Sequence, residues 1–230
     1  MPLPKLLMLH GALGASGQFD PLKQKLEKYF EILSPDLEGH GGREIPEEPF
    51  SFPLFASGIV KFLDDHKVPK THIFGYSMGG YCALWMAKHF PDRVGKIFTL
   101  ATKFEWNEAS ALRESSMLNP GRMEEKIPAF AGLLAQRHAP QNWKTVVQKT
   151  AEMMTALGIS HLTESDFRSI RHQACIAVGD RDNMVTPEES SRVSAFLTGG
   201  QLRVMTNTPH PFEKMDMEKL AGELKLFFEN

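Results

Sequence analysis

The chain has 230 residues, enough to bury one sizeable core. Hydrophobic residues make up 42%, charged residues 23%, and the net charge is −2. This balance suits a globular domain and gives no electrostatic case for nucleic acid or an anionic membrane surface, and no apolar stretch nears the ~20 residues needed to span a bilayer.

The first strand is expected over residues 6–9, ending in the glycine-rich turn His10-Gly11-Ala12-Leu13-Gly14. Phe19, Leu22, Leu26 and Tyr29 share one face of a predicted helix over 19–29. A strand over 30–34 comes next and ends in the loop Pro35-Asp36-Leu37-Glu38-Gly39-His40-Gly41-Gly42. A helix near 54–66 leads to the strand Thr71-His72-Ile73-Phe74, the pentapeptide Gly75-Tyr76-Ser77-Met78-Gly79 with Gly80 behind it, and a helix over 81–89 that Pro91 stops. Further strands are expected over 96–101, 173–178 and 201–205, with helices over 187–197 and 217–228. Pro187 suits the first turn of its helix. Short apolar strands alternating with helices imply an α/β fold: a mostly parallel sheet of about six strands with helices on both faces.

Residues 103–170 break the alternation, with helices expected over 107–118, 122–138 and 143–157 and no convincing strand. The expected organisation is therefore a core of residues 1–102 and 171–230 with a helical lid (cap) of 103–170. Inserted at the carboxyl edge, the block stands where open α/β sheets place ligands.

The start of the chain lacks a basic segment and a small-residue cleavage site, so no signal peptide is expected. Cys82 and Cys175 fall in a predicted helix and a predicted strand, where small core residues are expected rather than a disulfide, which fits a reducing, cytoplasmic setting.

Gly75 to Gly79 carries the chemistry. A G-x-S-x-G pentapeptide between a strand and a helix builds a nucleophile elbow. A serine hydroxyl is a weak nucleophile unless held rigidly and supplied with a base. The bare pentapeptide arises by chance in about one chain in ten of this length, so its meaning depends on an acid and a base further along the chain. Asp180 and Asp182 are acid candidates in the loop after the strand 173–178, and His210 is the base candidate in the loop after the last strand. All three loops open at the carboxyl edge, in the order Ser, Asp, His. No H-E-x-x-H or paired-cysteine motif suggests a metal, and neither a G-x-G-x-x-G nor a Walker pattern suggests a phosphate loop.

The motifs just quoted, together with His10-Gly11 and Gly179-Asp180-Arg181-Asp182-Asn183-Met184-Val185, resemble those of the α/β-hydrolase superfamily in its small lidded esterase-like branch, along nearly the whole chain. The resemblance aligns the first strand with what is usually the family's third, so the expected sheet lacks the leading hairpin. It implies that Asp182, three residues before Val185, is the acid, and that Asp180 orders the loop. It also implies an oxyanion hole from the backbone N–H groups of Met78 and Ala12, with Leu13 as runner-up. His10 and His40 are expected to be structural. Pro209 and Pro211 flank the histidine where the family commonly has glycine before it, and stiffen that loop.

The expected function is a serine hydrolase acting through an acyl-enzyme, a carboxylesterase on a small, largely apolar ester. A thioesterase, a carbon–carbon bond hydrolase, a lyase or a cofactor-free perhydrolase could use the same residues, and a receptor-like binding protein with slow turnover is the outsider. Leu13, Phe104, Trp106 and Trp143 are candidates for the substrate pocket. No metal or other cofactor is expected; the expected partner is a small acyl substrate, without nucleic acid or membrane, and the sequence leaves the oligomeric state open.

Overall fold

The computed structural model describes residues 2–229. The elements alternate up to the fourth strand: β1 (Lys5–Leu9), α1 (Asp20–Leu26), β2 (Glu31–Leu33), α2 (Phe52–Asp65), β3 (Thr71–Tyr76), α3 (Met78–His89) and β4 (Val94–Leu100). Five helices come next: α4 (Glu108–Met117), α5 (Pro120–Lys126), α6 (Pro128–His138), α7 (Trp143–Ala156) and α8 (Glu164–Ser169). Then β5 (Gln173–Arg181), α9 (Pro187–Phe196), β6 (Gly199–Pro209) and α10 (Met217–Glu229) complete the order. The six strands form one sheet in the order β2-β1-β3-β4-β5-β6, with every pairing parallel.

Parallel strands with helices on both faces must bury both of theirs. Successive residues of each inner strand therefore enter different cores. Leu7, Leu9, Ile73, Ile97 and Ile176 pack with α2, α3 and the 103–170 helices. Leu6, Met8, Phe74, Phe98 and Cys175 pack with α1 and α10. Each fully buried side chain of this size contributes ~1.5–3 kcal/mol, so a one-residue slip of an inner strand would exchange two matched sets.

Local chemistry sets the boundaries. Pro128 splits the helix predicted over 122–138: Ile127 leaves the helical region at φ −138°, ψ 57°, so α5 and α6 are separate. Helix α8 is an addition to the sequence reading, capped reciprocally by Thr163 and Asp166. Strand β6 is much longer than 201–205, because it stays in register with β5 from Gln173↔Gly199 to Arg181↔Pro209 around an irregularity near Gly179. A Cβ at Gly179 would lie 1.9 Å from the Thr208 carbonyl oxygen. Only glycine lets β5 and β6 approach this closely, and that approach brings their two terminal loops together. Among the described residues no helix is long and apolar enough to cross a membrane.

Candidate active site

Ser77 joins β3 to α3 at φ 52°, ψ −118°, a conformation that costs a non-glycine residue free energy. The surroundings impose it. The Ser77 amide donates to the Leu100 carbonyl at 2.8 Å, and its carbonyl accepts from the Gly80 amide and the Thr102 hydroxyl, each at 3.0 Å. A Cβ on Gly79 would sit 2.1 Å from the Leu9 carbonyl oxygen, and one on Gly75 would sit 2.4 Å from that of Gly79. The small residues of the pentapeptide are thus the condition for strand, helix and β1 to meet at one point.

The loops after β5 and β6 bring Asp182 and His210 together. His210 Nδ1 lies 2.8 Å from Asp182 Oδ2 and 3.0 Å from Oδ1. The carboxylate is fully buried and the imidazole is 11% exposed. Asp182 Oδ1 also accepts from the amides of Met184 and Val185, at 2.8 and 2.9 Å, which fixes its rotamer. A carboxylate against Nδ1 makes that nitrogen the donor and leaves Nε2 as the acceptor of a neutral ring. Asp180 is used differently: its carboxylate accepts from the Thr208 amide at 3.2 Å and ties the two loops together. The Tyr76 hydroxyl donates to the His210 carbonyl at 2.9 Å and anchors the histidine backbone between its two prolines.

Met78 opens α3, where helix geometry leaves its N–H without an intrahelical acceptor. Ala12 lies in the turn after β1, closed by the Gly14 amide donating to the Gly11 carbonyl at 3.0 Å. Gly11 lets this turn approach the serine, since a Cβ there would lie 3.2 Å from that of Ser77. Leu13 holds φ 56°, and its carbonyl accepts from Arg137 Nη1 at 2.9 Å. Arg137 also pairs with Glu213, three residues past His210, so α6 grips both flanks of the site.

Ala12, Ser77, Met78 and His210 line one cavity of about 50 Å³. Among the described residues the Ser77 hydroxyl makes no hydrogen bond within the protein. Trp106, Met153, Met154 and Leu157 supply apolar wall from the helical block, Phe52 and Tyr81 from the core.

Of the pocket candidates, Trp106 lines this cavity; Leu13, Phe104 and Trp143 are buried and do not. Leu13, at φ 56° with its carbonyl held by Arg137, packs in the core instead. Phe104 packs edge-on against Phe167, ring centroids 5.8 Å apart, and Trp143 joins the packing of the 103–170 helices on the core. The sequence reading missed two charged lining groups, Lys103 and Glu114. Periodicity gave no sign of either, because Lys103 lies in the loop before α4 and Glu114 is a polar position of α4.

Behind the Ala12 turn lie three fully buried histidines. His10 donates from Nδ1 to the Gly11 carbonyl at 2.8 Å and accepts at Nε2 from the Leu37 amide at 3.1 Å. His40 donates to the Glu38 carbonyl, and His138 accepts from the Gly41 amide at 3.2 Å. Burial lowers the pKa of His10 and of His138 to about 4 and holds that of His40 well below its usual range.

A family model described as the alpha/beta hydrolase fold matches residues 4–131. Over 97% of this chain and 92% of the relative, the sequence is 27% identical to a pimeloyl-[acyl-carrier protein] methyl ester esterase of Stenotrophomonas maltophilia. A 3-oxoadipate enol-lactonase of Acinetobacter baylyi is 30% identical over 40% of this chain and 34% of its own length. The crystal structure of the enol-lactonase from Burkholderia xenovorans superposes with a TM-score of 0.79 at 15% identity, covering 100% of this chain and 93% of that one. At that identity the likeness speaks for the fold.

Proposed function

Because the chain belongs to the alpha/beta hydrolase fold family, we propose that it is a serine hydrolase in which Ser77, His210 and Asp182 act together. The reading rests on one observation above all: the buried Asp182 carboxylate 2.8 Å from His210 Nδ1, with that histidine and the strained Ser77 lining one cavity. In this reading Ser77 Oγ attacks the acyl carbonyl while His210 Nε2 takes its proton. The amides of Ala12 and Met78 receive the developing oxyanion. His210 returns the proton to the leaving oxygen, the carbon–oxygen bond breaks, and an acyl-enzyme remains. Water, activated by His210, then releases the acid. Asp182 holds the ring tautomer and stabilises the imidazolium. No step needs a cofactor.

We assign an ester, and a small, largely apolar one. The names of the relatives, a methyl ester esterase and an enol-lactonase, favour an ester bond over a thioester or carbon–carbon bond. The narrow cavity favours a slender acyl group. Residues 103–170 are read as the cap, since Trp106, Met153 and Leu157 wall the space beside Ser77. Two buried, unpaired cysteines support the cytoplasmic setting.

An alkyl fluorophosphonate tests the assignment. It should modify the protein once, at Ser77, and leave Ser77→Ala unmodified; a folded wild type that stays unlabelled contradicts it.

A further inference from the structure

Lys103 comes soon after β4 and lines the cavity that holds Ser77. Its side chain is 14% exposed. The ammonium stands 3.8 Å from Glu189 Oε2 and 5.9 Å from the centre of the Trp106 ring. Neither is a hydrogen bond, and among the described residues Lys103 Nζ donates none. Glu189 Oε1 accepts from the Phe104 and Glu105 amides, the latter at 2.6 Å, while Oε2 faces the ammonium. An ammonium carries three donors, and sequestering it in an apolar enclosure costs free energy unless acceptors reach it. The ammonium is the ion-pair partner of the buried Glu189 carboxylate, and at 3.8 Å the pair leaves its donors without a hydrogen bond.

The second charged lining group, Glu114, differs in its partner. Its carboxylate is 7% exposed and lies 3.4 Å from Nε of Arg113, a side chain at the surface. Glu114 is thus partly answered from outside the cavity. Lys103 is ion-paired with Glu189 at 3.8 Å, and its three donors make no hydrogen bond.

We propose that Lys103 determines specificity by binding an oxygen acceptor, a carboxylate or keto oxygen, on the acyl part of the substrate, at the end remote from the bond that Ser77 attacks. The substrate class is then an oxo- or carboxy-acyl ester: an apolar chain along Trp106 and Met153, tipped with an oxygen acceptor. This rests on the hydrolase reading above and deepens it. Glu114 limits such an anion to positions nearer the ammonium than the carboxylate. Removing the Glu114 charge should therefore strengthen the preference and leave its sign unchanged.

The test compares p-nitrophenyl esters of equal chain length: valerate, the mono-ester of glutarate, and a trimethylammonio-butyrate. The ratio of kcat/KM for glutarate over valerate should fall at least tenfold in Lys103→Met, through the KM of the glutarate ester. Lys103→Arg should keep most of the ratio, and Glu114→Gln should raise it. A ratio unmoved by Lys103→Met overturns the proposal. So does a wild-type preference for the cationic ester that Glu114→Gln abolishes, which makes Glu114 the reader instead. A second measurement needs no turnover: free glutarate should raise the melting temperature of the wild type and not of Lys103→Met. An equal rise in both overturns the proposal, whereas failure of fluorophosphonate to label Ser77 overturns only the hydrolase reading.

Discussion

The carboxyl edge of the sheet and the helical block between β4 and β5 both line the cavity, but they hold their side chains by different means. At the edge, backbone geometry dictates. Ser77 is forced to φ 52°, Gly75 and Gly79 have no room for a Cβ, and the Asp182 rotamer is fixed by two amides. In the block, capped helices and the loop leading into α4 present whichever residues their packing turns inward. Trp106 and Met153 reach the cavity, while Phe104 and Trp143 pack away from it. Side chains on the edge are pre-organised; those of the block depend on how it packs.

Asp182→Asn gives the largest effect expected after loss of the nucleophile. It keeps the shape of the loop but reverses the histidine tautomer, and kcat for ester hydrolysis should fall by about 10⁴-fold with little change in melting temperature. Asp180→Asn serves as the control, because it orders the loop and does not reach His210. Equal losses in the two variants would erase the distinction between acid and loop residue.

The next pair sharpens the contrast inside the block itself. Trp143→Ala removes a buried ring from packing and should cost ~3–5 kcal/mol in urea unfolding, while KM for a small ester stays within about threefold. Trp106→Ala should instead change KM and acyl preference, because the ring lines the cavity beside Ser77. A KM shift with Trp143→Ala and none with Trp106→Ala would reverse this reading of the walls.

The smallest effect concerns the histidines behind the Ala12 turn. The pKa of His10 and of His138 is lowered to about 4 by burial, so between about 6.5 and 4 the unfolded chain binds more protons than the folded one. Stability is therefore expected to fall as pH drops through that window, and to be level above it. Asp36 works against this for both rings and Arg137 works with it. Protonation would also cost His10 and His138 the acceptor roles they fill for the Leu37 and Gly41 amides. Melting temperatures from pH 8 to 4 measure the slope, and His138→Gln should flatten it.

The same contrast explains what could be read in the sequence. The elbow, the loop holding Asp180 and Asp182, and His210 were visible because each follows a strand, and the resemblance, not position, chose Asp182 over Asp180. His10 was legible as a structural residue beside the turn, and the structure supplies its two bonds. The break at Pro128, the full length of β6 and the inward turn of Lys103 and Glu114 were not. A proline within an otherwise helical pattern can kink or divide it, and strand pairing beyond 205 depends on a close approach at Gly179 that only the fold creates. Lys103 lies in a loop, where no periodicity applies, and the direction Glu114 faces on α4 depends on how that helix crosses its neighbours, which periodicity leaves free.

Covalent catalysis at Ser77 is the central claim, and an acid quench of the enzyme mixed with excess p-nitrophenyl ester tests it most directly. Intact mass and peptide mapping should find one acyl group per chain, carried by Ser77 and absent from Ser77→Ala. Steady turnover by the wild type with no acyl group trapped on Ser77, or with equal turnover by Ser77→Ala, would contradict the account.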